Sequence, residues 1–445
     1  MANGTRPGLT RGDRRRNEKL RRLREAVPEG AAILGIDLAQ AKQVAVVTGP
    51  GDQTLARRTF VCSPWGVDQA IDWGLEVAAR EGLEPLVVAC EPTGHRWKPV
   101  LERCRRRGIT LVCVQPLLVA REREREDYTR DRSDPKDATL IAHLARELRC
   151  YLPLLPEASW ARLRHLGARR HAKLVERGAA RQALRDLLEC YWPAALEAAA
   201  KGLDSRTLLA CLLVSTDPRE VGGMRLGTLL RRAERMLPRV GAARLDRRVA
   251  RRFHEAARDP RILPWEREGA SERAAFALAD LLHAQGQVEE CEDRMVGLLD
   301  ALGYLELATS VPGLGAVGAA AILAETGDPT RYDCGRAWAK HAGTCPRENA
   351  SGRFQGRTRV SGRGRPLLRT AAWRAAWPLV QHNPVFRARY HHLRRRERNP
   401  LSDAQARAAV GAALLRQLWA VFTSRRAWDP ALAGGGGGKG VVQAA

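Results

Sequence analysis

Apolar runs broken by turn residues dominate the first third of the chain. They predict strands at 32–37, 43–48, 53–61, 86–90 and 109–114. The first, Ala32-Ile33-Leu34-Gly35-Ile36-Asp37, is apolar along its length and ends on a carboxylate. Gly49-Pro50-Gly51-Asp52 is turn-forming and makes a hairpin of the second and third strands. Ser63-Pro64 supplies a cap and a first-turn proline, which opens a helix to about Arg80. Further helices are predicted from Trp97 to about Arg107 and from Asp134 to about Leu148. The region therefore reads as three strands, then helix, strand, helix, strand, helix.

Beyond residue 150 the pattern turns helical. Ala161 to Tyr191 is one long helix candidate. Leu281, Val288, Met295 and Leu302 recur every seven residues, and Ala284, Cys291 and Leu298 fill the complementary position. That is a heptad seam, which Gly286 and Gly297 weaken by roughly 1 kcal/mol each relative to Ala. The seam fits an intramolecular helical hairpin or a dimerising coiled coil, and a coiled coil is expected. The Arg-rich segment 203–270 yields no assignment. Five parts follow: a flexible basic extension (1–30), an α/β domain (31–150), a helical and coiled-coil region (151–303), a mostly α C-terminal domain (304–430) and a Gly-rich tail (431–445).

Charge changes the picture. The chain has 445 residues, a formal charge of +25 and a pI near 10.6. Such a balance argues for a polyanionic partner, not for a fold. Only eight of the 75 basic residues are Lys. Arg suits bidentate phosphate recognition, although a GC-rich coding sequence also favours it. From Gly352 to Arg398 there are thirteen Arg against one acid, Glu397. That stretch reads as a nucleic-acid surface, with Arg353, Arg357, Arg359, Arg363, Arg365 and Arg369 as candidate contacts. Trp373 and Trp377, one helical turn apart among these Arg, read as core residues rather than base-stacking platforms. The basic stretch Arg14–Arg24 reads equally as a nucleic-acid arm or a solvated helix. The ten Cys form no Cys-x-x-Cys pair, which excludes that kind of zinc or redox motif and leaves reduced thiols as the expectation. No apolar run approaches a membrane span. A cytoplasmic, nucleoid-associated prokaryotic protein is the expectation.

Four carboxylates carry the candidate chemistry. Asp37 ends the first strand, Glu91 follows the fourth, and Asp134 and Asp137 open the last helix of the α/β domain. Carboxylates gathered at one end of a sheet can hold Mg²⁺, a cation that takes oxygen ligands. Within a basic protein, such a site suggests phosphodiester chemistry. Each acid also has an ordinary reading. Asp at the N-cap and the third position of a helix, with Pro at the first, is what a helix start favours. His95 reads as a surface residue close in sequence to Glu91. Further on, Ser310-Val311-Pro312-Gly313-Leu314-Gly315 precedes an apolar helix and looks like a helix-hairpin-helix. Its Gly313 and Gly315 would let backbone N–H groups approach a phosphate, or would simply form a tight turn. Ser351, before Gly352, reads on chemistry alone as a turn residue.

The order of strands and acids is that of a ribonuclease-H-like fold. The motifs together resemble the DEDD-type insertion-sequence transposases of the IS-one-ten group, which include the Piv-like DNA invertases. Gly35-Ile36-Asp37, Glu91-Pro92-Thr93-Gly94 and Arg132-Ser133-Asp134-Pro135-Lys136-Asp137-Ala138 resemble the three acidic motifs. Pro312-Gly313-Leu314-Gly315, Gly343-x-x-Pro346-Arg347-Glu348, Ser351-Gly352 and Gly364-Arg365-x-Leu367-Leu368-Arg369 resemble those of the second half. Pro92 stands where the family usually has Ala, and Ala350 where it often has Ser. The resemblance implies a RuvC-like first domain with Mg²⁺ on Asp37, Glu91, Asp134 and Asp137. It implies Ser351 as a nucleophile that forms a covalent link to DNA. It further implies a homodimer or homotetramer and guidance by a structured non-coding RNA encoded beside the gene. The expected function is excision and insertion of the protein's own element. Alternatives are a site-specific invertase of the same architecture, a Holliday-junction endonuclease, and a non-catalytic nucleic-acid-binding protein on a degenerate fold.

Overall fold

The computed structural model describes residues 9–92, 94–126, 133–347, 350–351, 354–355 and 359–433. These divide into two compact units, residues 1–155 and 156–445. The first opens with helix α1 (Arg11–Ala26), followed by strands β1 (Ala32–Leu38), β2 (Lys42–Thr48) and β3 (Thr54–Val61). Then come α2 (Pro64–Arg80), β4 (Leu86–Cys90), α3 (Trp97–Arg106), β5 (Thr110–Cys113), α4 (Pro116–Glu126) and α5 (Asp134–Arg146). The strands form one mixed sheet in the order β3-β2-β1-β4-β5, antiparallel from β3 to β1 and parallel from β1 to β5.

The inner strands β1 and β4 are buried on both faces, as parallel strands covered by helices must be. On one face, Leu34, Ile36 and Val88 meet Ile71 and Val77 of α2 and Val100 of α3. On the other, Ile33, Val87 and Val112 meet Ile141 and Leu144 of α5. Residues 11–26 are not part of the flexible extension expected over 1–30, and residues 1–8 lie outside the described residues. Thr10 caps α1 through a reciprocal capping box with Asp13, and Leu23 and Val27 are buried in the α5 face of the core. Two apolar residues one turn apart anchor the helix despite its Arg-rich surface. The Asp134 helix also starts differently from expectation. Ser133 takes the N-cap position, so Asp134 lies inside the first turn. Helix α4, hidden in the sequence by its Arg-Glu alternation, was not predicted.

In the second unit, α6 (Ala158–Tyr191) and α12 (Arg267–Ala301) form a long helical hairpin. Arg170 Nη2 lies 2.6 Å from Glu292 Oε1 across it, and Arg177 Nη1 donates to Gln285 Oε1 at 2.6 Å. The heptad seam is therefore covered within the chain. Leu281, Ala284, Val288, Cys291 and Met295 are buried, whereas Gly286 and Gly297 face solvent, where they cost no packing. The bare seam that a dimerising coiled coil would need is already used.

The unassigned 203–270 segment folds at the far end of this hairpin. Between the long helices lie α7 (Pro193–Glu197), α8 (Arg206–Val214), α9 (Pro218–Gly223), α10 (Leu226–Met236) and α11 (Arg247–Ala256). They bury Leu208, Val221, Leu229 and Phe253 against Leu184, Leu188, Leu278 and Leu281. Each helix is short, and α8 to α11 carry Arg, so no periodic stretch is long enough to read.

The last part contains α13 (Leu305–Thr309), α14 (Ala316–Thr326), α15 (Gly335–His341) and a hairpin of two-residue strands. These are β6 (Pro346–Arg347), β7 (Ala350–Ser351), β8 (Phe354–Gln355) and β9 (Arg359–Val360). Helices α16 (Pro366–His382), α17 (Pro384–Arg395), α18 (Asp403–Ser424) and the short α19 (Pro430–Ala433) complete it. Trp338, Phe386, Leu414 and Phe422 lie in the shared core.

Candidate active site

Asp37 sits at the C-terminal end of β1, and parallel pairing aligns Ile36 with Cys90 of β4. Glu91, the next residue, therefore leaves the sheet beside Asp37. Helix α5 is brought over the same edge by a glycine. A Cβ at Gly35 would come within 2.3 Å of the Ala138 carbonyl oxygen and 3.0 Å of the Ala142 Cβ, so only glycine lets α5 lie this close to β1. At the other end of α5, Arg146 Nη2 donates to the Ala31 carbonyl at 3.0 Å. Helix and strand thus run antiparallel, and the first turn of α5, with Asp134 and Asp137, lies over the end of β1.

Electrostatics report the same gathering. The half-buried Asp37 carboxyl is pushed up to about 6, first by burial and then by the charges of Asp137, Asp134 and Glu91. The guanidinium of Arg123, on α4, opposes this rise. Arg123 is itself bonded to Asp137: Nη2 and Nε lie 2.6 and 2.9 Å from Oδ1, with both side chains largely buried. It is the residue that sequence reasoning missed. Its one signal was the Arg-Glu run 121–126 shortly before the Asp134 motif. His95 is exposed, as expected.

The donor set suits a hard divalent cation, since all four groups are carboxylates and their mutual repulsion already raises one of them. Among the described residues, no three His, Cys, Asp or Glu side chains converge closely enough to hold a metal in this conformation. The acids are assembled but open, with Arg123 neutralising Asp137.

Ser351 lies on the hairpin of the second unit, where its backbone pairs with Phe354. The root of that hairpin is tied firmly. Ser361 N–H donates to the Cys345 carbonyl at 2.8 Å and Gly362 N–H to that of Gly343 at 3.0 Å. Arg369 Nη1 spans both strands, donating to the Ala342 carbonyl at 3.0 Å and to that of Gly362 at 3.2 Å. Arg365 Nε bonds the buried Glu325 at 2.7 Å. Nearby, burial and the charges of Arg365 and Arg164 push His341 down to about 4. Arg365 and Arg369 are thus committed to holding the hairpin, whereas Arg359 and Arg363 are exposed. Arg353 and Arg357 lie outside the described residues.

The two glycines of the helix-hairpin-helix differ in the same way. A Cβ at Gly313 would meet the Pro378 carbonyl oxygen at 2.8 Å, so this residue serves packing on α16. Gly315, at the start of α14, faces open space. Trp377 is exposed rather than in the core, with Arg407 stacked on its ring at 3.8 Å.

Comparison with known proteins decides the family. Residues 34–193 match a transposase family model of the DEDD type, and residues 305–391 match that of the transposase IS116/IS110/IS902 family. The 44.8 kDa protein of insertion element IS116 from Streptomyces clavuligerus is 30% identical over 67% of this chain and 73% of its own length. The chain belongs to the IS110 family of DEDD transposases. A mini-circle protein from Streptomyces coelicolor, named for transposition of IS117, is 28% identical over 89% of this chain and 94% of its own. The transposase of insertion sequence IS1111A from Coxiella burnetii matches at 28% over 30% of this chain and 38% of its own. As a DNA transposase, the chain is an enzyme whose partner is DNA, which sets aside the non-catalytic alternative. Among the described residues, no helix is long and apolar enough to cross a membrane.

Proposed function

We propose that this transposase excises and inserts its own element by Mg²⁺-dependent strand transfer on a RuvC-like, ribonuclease-H-type domain. Asp37, Glu91, Asp134 and Asp137 would hold the metal. The observation that carries the reading is the Asp37 carboxyl, raised to about 6 by burial and by the other three acids. Repulsion of that kind is what a divalent cation relieves. The cation, when bound, would supply Lewis-acid stabilisation of the charge that develops on phosphodiester oxygens.

Ser351 is the proposed nucleophile. Its Oγ forms an ester to phosphorus as the P–O bond to one deoxyribose oxygen breaks, and the hydroxyl proton ends on that departing oxygen. A hairpin anchored at its root by Arg369 and Arg365 suits a nucleophile that must be presented to a rigid backbone. Guidance by a structured non-coding RNA, and a homodimeric or homotetrameric active complex, complete the proposal. Its support is the formal charge of +25 together with the motif resemblance.

Two substitutions test the reading. Asp37→Asn should abolish strand cleavage and leave DNA binding in place, and normal cleavage would sink the metal assignment. Ser351→Ala should remove any covalent protein–DNA adduct, and an adduct that persists excludes Ser351. For guidance, RNA co-purifying with the protein from cells carrying the native flanking DNA should be one discrete transcript. A random population would remove the guide from the proposal.

A further inference from the structure

A cavity of about 730 Å³ opens beneath the root of the Ser351 hairpin. Its walls come from the hairpin, α15, α17 and α18. They are mostly apolar, formed by Pro346, Val360, Leu401 and Ala409 among others, and three arginines enter them: Arg359, Arg389 and Arg416. Among the described residues, no Asp or Glu lines the cavity. The volume is that of a pocket for a small molecule.

Arg416 is the unusual member. It is half-buried on α18, and among the described residues no side chain or carbonyl accepts a hydrogen bond from it. Burial lowers its pKa, and the like charges of Arg389 and Arg336 lower it further. Other partly buried arginines here have partners: Arg123 has Asp137, Arg170 has Glu292 and Arg365 has Glu325. A guanidinium held among cations without an acceptor is costly unless an anion completes it.

We infer that this cavity receives one unpaired nucleotide of a DNA strand, with its phosphate on Arg416 and Arg389 and its base or sugar against the aliphatic wall. The inference rests on DNA as the partner of this transposase. A nucleotide combines the two chemistries the walls offer, an anion and a flat apolar face. A paired base cannot enter, because it must first leave the stack. The cavity shares Pro346 and Val360 with the strands that lead to Ser351. An unpaired nucleotide seated there would hold the strand in place beside that hairpin.

The test is fluorescence anisotropy with the full chain in EDTA, so that no strand is cut. The probes are a short oligothymidine and a blunt duplex of the same length. Arg416→Gln should weaken oligothymidine binding by about tenfold or more, the loss of one charged hydrogen-bond partner, and leave duplex binding within about twofold. The salt slope for oligothymidine should fall by about 0.7 for each lost phosphate contact. Arg389→Gln, at an exposed position, should act in the same direction. Ala408→Trp, which fills the cavity and keeps every arginine, should reproduce the loss. Equal weakening on both DNAs would make Arg416 a general surface charge and overturn the inference. Unchanged binding in all three variants would do so too, as would tighter binding of oligouridine with the same sensitivity to them. A wild-type chain that bound neither DNA would instead remove the DNA reading itself.

Discussion

Asp37 and Arg123 show how single residues set the state of the acid site. Asp37 has a folded-state pKa raised from 3.8 to about 6. Its protonated form is therefore the one that folding favours. The stability this contributes is fully present below about pH 4 and is lost as pH rises through about 6. In EDTA, the melting temperature of the wild-type chain should fall over that interval, and Asp37→Asn should flatten the fall. Added Mg²⁺ should recover more stability at neutral pH than near pH 5, and none of that difference should survive in Asp37→Asn. Arg123 acts with the opposite sign, since its guanidinium neutralises Asp137 at 2.6 Å. Arg123→Gln should lower the metal-free melting temperature at neutral pH and enlarge the Mg²⁺-induced rise. A smaller rise would show that Arg123 helps the acids bind metal instead of standing in for it.

At the scale of elements, two glycines allow the approaches that shape the candidate sites. Gly35→Val would drive a side chain into the backbone of α5, at a cost of about 3 kcal/mol or more for a close-packed interface. With all four acids still present, calorimetric melting should show that loss, and the Mg²⁺-induced rise should disappear with it. Gly364 does the equivalent work in the second unit. A Cβ there would fall 2.4 Å from the His341 carbonyl oxygen and 2.5 Å from the Gly343 nitrogen, at the root of the hairpin. Gly364→Ala should abolish the covalent DNA adduct proposed at Ser351 while leaving the Mg²⁺-induced rise of the first unit unchanged, and loss of both would mean that the damage is not confined to the hairpin. The long helices obey a simpler rule. Their heptad seam is satisfied by α6 meeting α12 across five intervening helices, because an apolar stripe must be buried against a complementary face and the fold supplies one within the chain.

For the molecule as a whole, the excess charge is unevenly spent. Of the six arginines singled out in the basic stretch, Arg365 and Arg369 hold the hairpin, whereas Arg359 and Arg363 are exposed. Replacing Arg359 and Arg363 together by Gln should lower the salt slope of duplex binding by about 0.9 for each lost phosphate contact. Arg369→Gln should instead lower the melting temperature. Equal behaviour of exposed and committed arginines in a salt titration would contradict this division.

The sequence by itself determined the sheet and the acids. Five apolar runs, a Gly-Pro-Gly-Asp turn, the Ser63-Pro64 helix start and the Asp134-Pro135 helix start are local signals, and local signals survive in the chain without its fold. The strands fall within a residue or so of where they were expected, and strand order puts Asp37 and Glu91 at neighbouring strand ends, whereas Asp134 and Asp137 reach that edge through the close packing of α5 on Gly35. Tertiary structure decided what depends on contacts between residues far apart in sequence. It placed Arg123 on Asp137, seated α1 through Leu23 and Val27, and closed the heptad seam within one chain. It also turned two arginines into struts and left Arg416 without an acceptor among the described residues. An arginine carries the same charge in every setting, and only the fold determines whether a carboxylate, a carbonyl or solvent faces it.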